Sequence, residues 1–381
     1  MDTLVLDIYY TIFNKMAIID IMKMKAVNNF FNNIISNIKM IPIAIKNIQY
    51  IPFLTHIENL YFDIHSYNNE IITYDKVISL HISHKCLDIS KFTNITALYL
   101  PSLCYITEIN NLTNVTDLNL GFNDSVTQIT NLKNITSLNL YNNSTINNLN
   151  SAQFSLKKLC INNKSLITNN SLNKLTNLTD ISMYFNKQIT NDGLHNLTNI
   201  TNLHMDQNMG ITNICNLINL KNLILYNDSG ISDNCLCDSV NLSTLILHHN
   251  NKITDTSIKK LTNLTKLSIR NNIISNEGIE KLTKIINLSL HSDIIGDYGV
   301  RNLTNITKLA LYGNMISDYG IRNMTKIIDL CVQNVNFYGN YITSNHIEHM
   351  TNLTILKCYR PHLNTQKLTN LKYYDCMKIH K

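Results

Sequence analysis

The sequence predicts an α/β solenoid, a horseshoe of stacked repeats with parallel strands on its concave face, behind a small N-terminal block of different character. Three observations predict it. An L-x-L core returns between Leu60 and Tyr374, as at Leu118, Leu203, Leu267 and Leu309, with a mean spacing of about 21 residues. An Asn stands five residues after many of these positions. Residues 4–31, LVLDIYYTIFNKMAIIDIMKMKAVNNFF, are rewritten nowhere else.

Composition sets the bounds. Hydrophobic residues make up 44% of the chain and charged ones 15%, so a continuous core can form while Asn, Thr and Ser carry the polar surface. A formal charge of +6 on 381 residues is too small to indicate a nucleic-acid partner. Nine cysteines, with Cys235 and Cys237 the only close pair and no CxxC, point to a reducing compartment and away from a disulfide scaffold. Asp2 replaces the basic start of a signal peptide, Asp7 interrupts the apolar run, and no small-residue cleavage site follows. Lys15, Asp20, Lys23 and Lys25 break every stretch that could reach the roughly 20 apolar residues of a membrane span. These features predict a cytoplasmic or nuclear protein, neither secreted nor bound to a membrane. Its N-x-T triplets are then not glycosylation sites.

Residues 1–45 read as a domain of their own. Ile8, Ile12 and Met16 recur at i, i+4 and i+8 on one helix face. More Ile and Met follow than short helices can bury, which predicts a docking surface. A block that merely closes the end of the array is the alternative. Residues 46–56 form a rigid connection: Pro42 and Pro52 bar a long helix, and the stretch is too apolar for a flexible linker.

Residues 57–381 hold about 16 repeats of about 21 residues. The L-x-L alternation points two apolar side chains inward from a short strand and one residue outward. One repeat cannot bury that face alone, so stacked neighbours complete a shared core. The column Asn123, Asn143, Asn186, Asn208, Asn250, Asn272 and Asn314, with Asp228 and Asp293 as substitutes, satisfies backbone groups where the strand turns away. Later repeats carry ITNDGL (189–194), ISNEGI (274–279), IGDYGV (295–300) and ISDYGI (316–321), with looser copies at 231 and 253. A small polar residue ahead of an apolar-periodic stretch starts a helix. Short helical turns are therefore expected in the later repeats, while early ones such as DSVTQITNLKN are too short for them.

The pattern L-x-x-L-x-L-x-x-N, met in LTNVTDLNLGFN from Leu112 to Asn123, is that of leucine-rich repeats. The I-T-D-x-G-L phrase resembles the repeats of F-box/leucine-rich-repeat proteins, and the shorter LTNLTNL repeats also resemble bacterial internalin-type surface proteins. Residues 4–31 resemble the F-box, a three-helix module that docks on a Skp1-type adaptor. Leu4 falls at its leading Leu, Asp7 at the early acidic position, and Ile8, Ile12 and Phe13 at apolar positions of the first helix. Met16 takes the next Leu position, Asp20 and Ile21 the pair opening the second helix, Val27 the Val before the third, and Phe31 the aromatic. Val5 stands where the family usually has Pro, and Asn28 and Asn29 replace small or basic residues.

The resemblance implies that Leu4, Val5, Ile8, Ile12, Phe13, Met16, Ile21, Val27 and Phe31 bind the adaptor of a Skp1–cullin–F-box ubiquitin ligase. The array would then bind the protein to be modified. An interaction scaffold with no ubiquitin role is the alternative. An array of this style in an Asn-, Ile- and Lys-rich chain is similar to F-box/repeat proteins of giant amoebal DNA viruses, which would make the ligase the host's.

Catalytic patterns are missing. No G-x-x-x-x-G-K-[ST], G-x-G-x-x-G, G-x-S-x-G or H-E-x-x-H occurs. His346 and His349 lie one turn apart, half of a metal site, but the sequence nearby supplies no third ligand. Cys160 and Cys331, between the inward residues of their strands, are expected to be exposed, with nothing basic beside them to lower a thiol pKa. The sequence predicts a binding protein without catalytic residue, metal or cofactor.

The residue just after each L-x-L should face the concave surface: Tyr141, Tyr184, Asp206, Tyr226, His248, Arg270, His291, Tyr312 and Tyr359. From Tyr226 to Tyr312 every member is aromatic or basic, and Tyr and Arg are frequent interface hot spots. Tyr is also simply at home in strands. The run leads toward residues 351–381, where six Lys and Arg meet only Asp375. Tyr226, His248, Arg270, His291 and Tyr312 are therefore the candidate substrate surface, suited to an acidic or phosphorylated partner.

Overall fold

A computed structural model describes residues 43–45, 59–62, 78–82 and 89–376, apart from 103, 153–154, 228, 237–238, 271–272, 314, 334–341 and 359–364. The F-box-like residues from Leu4 to Phe31, and Asp228, Asn272, Asn314 and Tyr359, lie outside the described residues. The chain divides into two compact units, Met1–Leu178 and Thr179–Lys381.

The first unit contains β1 (Ile43–Ile45), β2 (Asn59–Phe62), β3 (Ser79–Ile82), β4 (Ala97–Tyr99), β5 (Asp117–Asn119), β6 (Ser137–Asn139) and β7 (Lys158–Asn162). Each pairs in parallel with the next, one repeat apart, so that Leu98, Leu118, Leu138 and Leu159 stand side by side. Strand β1 lies ahead of residue 57, where the sequence reading starts the array, and pairs with β2 as a repeat strand would. One helical turn, α1 (Asn169–Leu172), closes the unit, its Thr168 cap accepting from the Ser171 N–H.

The second unit is built of longer pieces. Its strands are β8 (Asp180–Tyr184), β9 (Asn202–Asp206), β10 (Asn222–Tyr226), β11 (Thr244–His248), β12 (Lys266–Arg270), β13 (Asn287–His291), β14 (Lys308–Tyr312), β15 (Asp329–Gln333), β16 (Ile355–Cys358) and β17 (Tyr373–Cys376). They too pair in parallel in chain order. Between them lie α2 (Asn191–Leu194), α3 (Asp233–Leu236), α4 (Asp255–Ile258), α5 (Asn276–Ile279), α6 (Asp297–Val300), α7 (Asp318–Ile321) and α8 (Ser344–Ile347). The first six of these begin in the phrases that predict them.

Each repeat contributes one apolar layer. In the layer of β14, Ile295, Val300, Leu303, Ile306, Leu309 and Leu311 are all buried. The side chains come from the turn, the helix, the LTN phrase and the strand, so one repeat closes only when its neighbours cover both sides.

Polar side chains tie neighbouring repeats together in three ladders. The Asn column behaves as the sequence implies at Asn123, Asn143, Asn186, Asn208 and Asn250, all buried. Asn123, for example, donates to the Pro101 carbonyl at 3.2 Å and accepts from the N–H groups of Ser125 and Val126 at 3.1 and 3.0 Å. Asp293 does not take this role. It is exposed, and buried Ser292 accepts from the Ile294 N–H at 3.3 Å in its place, because Ile295 follows Leu288 by 7 residues where Val126 follows Leu118, and Ile253 follows Leu245, by 8.

The LTNLT phrase supplies a second and a third ladder. Its Asn amide donates to a backbone carbonyl of the preceding repeat, as Asn134 does to Thr113 (2.9 Å) and Asn305 to Thr283 (3.0 Å). Its last Thr hydroxyl does likewise, as Thr116 to Thr96 (3.2 Å) and Thr265 to Ser243 (3.1 Å).

On the helical side, an acid binds the cap of the next repeat. Asp255 accepts from the Ser275 N–H and hydroxyl at 2.9 and 2.5 Å, and Asp297 from those of Ser317, both at 2.7 Å. Asp318 does the same for Thr343, and Asp233 for Thr254 and Ser257. Burial pushes the Asp233 carboxyl up, but the bonds from Ser257 and Thr254 outweigh it and hold the group below the usual carboxylate range. The Gly of the D-x-G phrase makes room for this latch: a Cβ on Gly320 would stand 2.5 Å from Asp297 Oδ1.

Candidate functional site

The parallel register of the second unit sets the candidate residues side by side. Tyr226 lies opposite His248, His248 opposite Arg270, Arg270 opposite His291, and His291 opposite Tyr312. Adjacent strands are about 4.8 Å apart, so the five groups form a row roughly 19 Å long. Arg270 is exposed and the other four are half-buried.

The rings touch one another. Tyr226 and His248 have centroids 4.9 Å apart and His291 and Tyr312 5.9 Å, the latter pair stacked. Ring contacts of this kind limit the rotamer freedom of the side chains that make them. His248 Nε2 shares a hydrogen with the Ser268 hydroxyl at 3.1 Å, and the Cys331 thiol donates to the Tyr312 hydroxyl at 3.6 Å. Burial lowers the pKa of His248, followed by the Arg270 charge, and the same two causes in the same order lower that of His291.

One member of the row is absent from the sequence reading. His204, between the two inward residues of β9, sits edge-on between the rings of Tyr184 (4.8 Å) and Tyr226 (5.1 Å). Its Nδ1 shares a hydrogen with the Tyr184 hydroxyl at 3.1 Å. Its Nε2 is buried without a hydrogen-bond partner among the described residues. Burial lowers its pKa, against a smaller opposing effect of Asp206. The central column of L-x-L holds the signal for it: in the face of a strand, that residue lies beside the one after the core.

Cys160 and Cys331 occupy the same central column and are half-buried, not exposed as expected. Neighbouring strands crowd a position flanked on both sides. Burial pushes the Cys160 thiol up to about 11. His346 and His349 stand on and just after α8, and among the described residues no three His, Cys, Asp or Glu gather as a metal would require. Part of the basic C-terminal charge is engaged, since Lys367 pairs with Glu348 at 2.5 Å. No helix among the described residues is long and apolar enough to cross a membrane.

No family model matches the chain, and no curated protein matches it. Solved structures do. An internalin, InlF of Listeria monocytogenes, is 25% identical with a TM-score of 0.50, over 79% of this chain and 89% of its own. The functional domain of InlJ from the same organism is 20% identical with a TM-score of 0.51, over 86% and 68%. TLR13, solved in complex with ssRNA13, is 18% identical with a TM-score of 0.60, over 86% of this chain and 53% of its own. The likeness to internalins, the period of about 21 residues and the parallel one-strand repeats together show that the chain has the leucine-rich-repeat fold.

Proposed function

We propose that the chain is a non-catalytic protein-interaction subunit whose strand face in the unit Thr179–Lys381 holds the partner. One observation carries this reading: Tyr226, His248, Arg270, His291 and Tyr312 stand in one row on five neighbouring strands. Rings immobilised by each other lose little entropy on binding, and Tyr and Arg are the residues that dominate interface energies.

The finer reading assigns residues 1–45 to a Skp1-type adaptor, which links the chain to a cullin complex of the cytoplasm or nucleus. The array then presents its partner to the ligase, and tethering raises the effective concentration of the protein to be modified. The support for this is the pattern from Leu4 to Phe31, with Val5 in the family's Pro position.

The full chain, purified from cells that express it, tests both parts. Capture of a Skp1-type adaptor by the wild type and its loss in Ile12→Asp/Phe13→Asp is the expected result, because a buried unpaired charge excludes the contact. Wild-type chain that captures no adaptor leaves the scaffold reading in its place. Changing all five row residues to Ala is expected to release the bound partner at unchanged melting temperature and unchanged adaptor capture. A variant that keeps its partner moves the interaction surface elsewhere.

A further inference from the structure

Charge along the strand face is distributed in a way that names a ligand. The outward positions of β10 to β14 are Asn222, Ile224 and Tyr226; Thr244, Ile246 and His248; Lys266, Ser268 and Arg270; Asn287, Ser289 and His291; and Lys308, Ala310 and Tyr312. No carboxylate stands among them. Carboxylates bound the stretch on both sides: Asp180 and Asp206 on β8 and β9, and Asp329 on β15. Lys266 and Lys308 are exposed near one end of their strands and Arg270 at the other, between the two histidines. Exposed His249 adds a further basic group close enough to lower the pKa of both His248 and His291. Asp293, beyond the end of β13, is the nearest described acid in sequence.

We propose that the outward face of β10–β14 binds an extended acidic polypeptide segment carrying a phosphorylated residue, with the phosphate held at Arg270 between His248 and His291. This rests on the strand-face reading above and adds the chemistry of the partner. A guanidinium meets phosphate oxygens with two parallel donors, and the hydroxyls of Ser268 and Ser289 lie on the same strands, two residues before Arg270 and His291. A phosphate carries up to two charges and three acceptor oxygens, so it can use several basic groups at once, as a single carboxylate cannot. The window of roughly 19 Å matches about six residues of extended chain, enough for acidic side chains to reach Lys266 and Lys308. A stretch of RNA would need ring faces free for bases, whereas Tyr226 packs against both His204 and His248, and His291 against Tyr312.

Fluorescence anisotropy on the full chain tests the assignment with three probes: a ten-residue acidic peptide with a central phosphothreonine, its unphosphorylated twin, and a short oligouridylate. The phosphopeptide is expected to bind at least tenfold more tightly than its twin. Arg270→Ala is expected to erase that difference, Arg270→Lys to restore only part of it, and Lys266→Ala/Lys308→Ala to weaken both peptides alike. Equal binding of the two peptides, or a phosphopeptide indifferent to Arg270→Ala, overturns the proposal, and so does tighter binding of the oligouridylate. The outcomes separate from those of the strand-face reading. If the five-alanine variant releases its cellular partner but phosphatase treatment and Arg270→Ala do not, the face stands and the phosphate assignment falls.

Discussion

The repeats of β4 to β6 and those of β11 to β14 use the same inward leucines and the same LTNLT ladders, yet differ in what else they carry. In the first set the strands are three residues long and Leu98, Leu118 and Leu138 follow every 20 residues. In the second the strands are five long, the spacing is 21 or 22, and each return path holds one helical turn. One or two extra residues therefore admit the turn, and the turn brings the side chain that clasps the next repeat's cap, an Asp at 255, 297 and 318 and Asn276 after β12. The short repeats make do with less: Asp124 accepts one backbone N–H, from Ser144 at 2.7 Å. The outward faces diverge as well. β4 to β6 present one ring, Tyr99, which donates to the acid Asp117 at 3.1 Å, beside Asn119 and Asn139, while β10 to β14 hold several rings together with Lys266, Arg270 and Lys308. The core is common property, and the longer repeats add a stiffer back and a specialised front.

The common core gives the largest expected effect. Leu118→Ala and Leu288→Ala, both at fully buried positions, should each cost about 2–5 kcal/mol in urea unfolding. A loss confined to one set would break the claim of a shared stack. The latch should separate the two sets. Asp297→Ala strands the N–H and hydroxyl of Ser317 and should cost about 1–3 kcal/mol, whereas Asp124→Ala should cost under about 1 kcal/mol because its site is exposed. Equal losses would show that the latch contributes nothing special. Gly320→Ala forces a Cβ against Asp297 and should cost about 1–3 kcal/mol alone, but much less in the Asp297→Ala background, a coupling that a double-mutant cycle reads directly.

The smallest effect is expected from pH. Burial lowers the pKa of His204, His248 and His291 below 6.5. The unfolded chain then takes up protons that the folded one resists, so stability is intact above pH 6.5 and declines as pH falls through the folded values. The urea midpoint should drop between pH 7.5 and 5.5, and His248→Gln should reduce the drop. A midpoint that rises on acidification would mean that the row gains a counter-charge in the folded state.

Much of this was legible in the sequence because a strand face and a helix cap each have a one-dimensional pattern. L-x-L gave the inward pairs, the D-x-G phrases gave the turns, and the spacing placed Tyr226 to Tyr312 in one row. What escaped depends on neighbours rather than on pattern. His204 stands in the central column of L-x-L, and only the pairing of adjacent strands brings the rings of that column between those of the column after the core. Ser292 replaces Asp293 because one residue fewer between Leu288 and Ile295 shifts which side chain reaches the turn. The Asn and Thr of LTNLT read in the sequence only as polar surface, because the carbonyls they reach belong to the preceding repeat. The adaptor residues from Leu4 to Phe31 rest on sequence alone.

Those two ladders carry a consequence for how such a chain changes over generations. Each donor is a side chain that a repeat brings with it, and each acceptor is a main-chain carbonyl that any residue provides. A copied repeat of 21 residues thus arrives with its own fasteners and finds a mating surface wherever it lands. Duplication or loss of a whole unit leaves these two ladders intact at each junction, while the outward letters of the new copy are free to drift. The length of the array can be edited without redesigning its joints, and the recognition face can be rewritten one strand at a time.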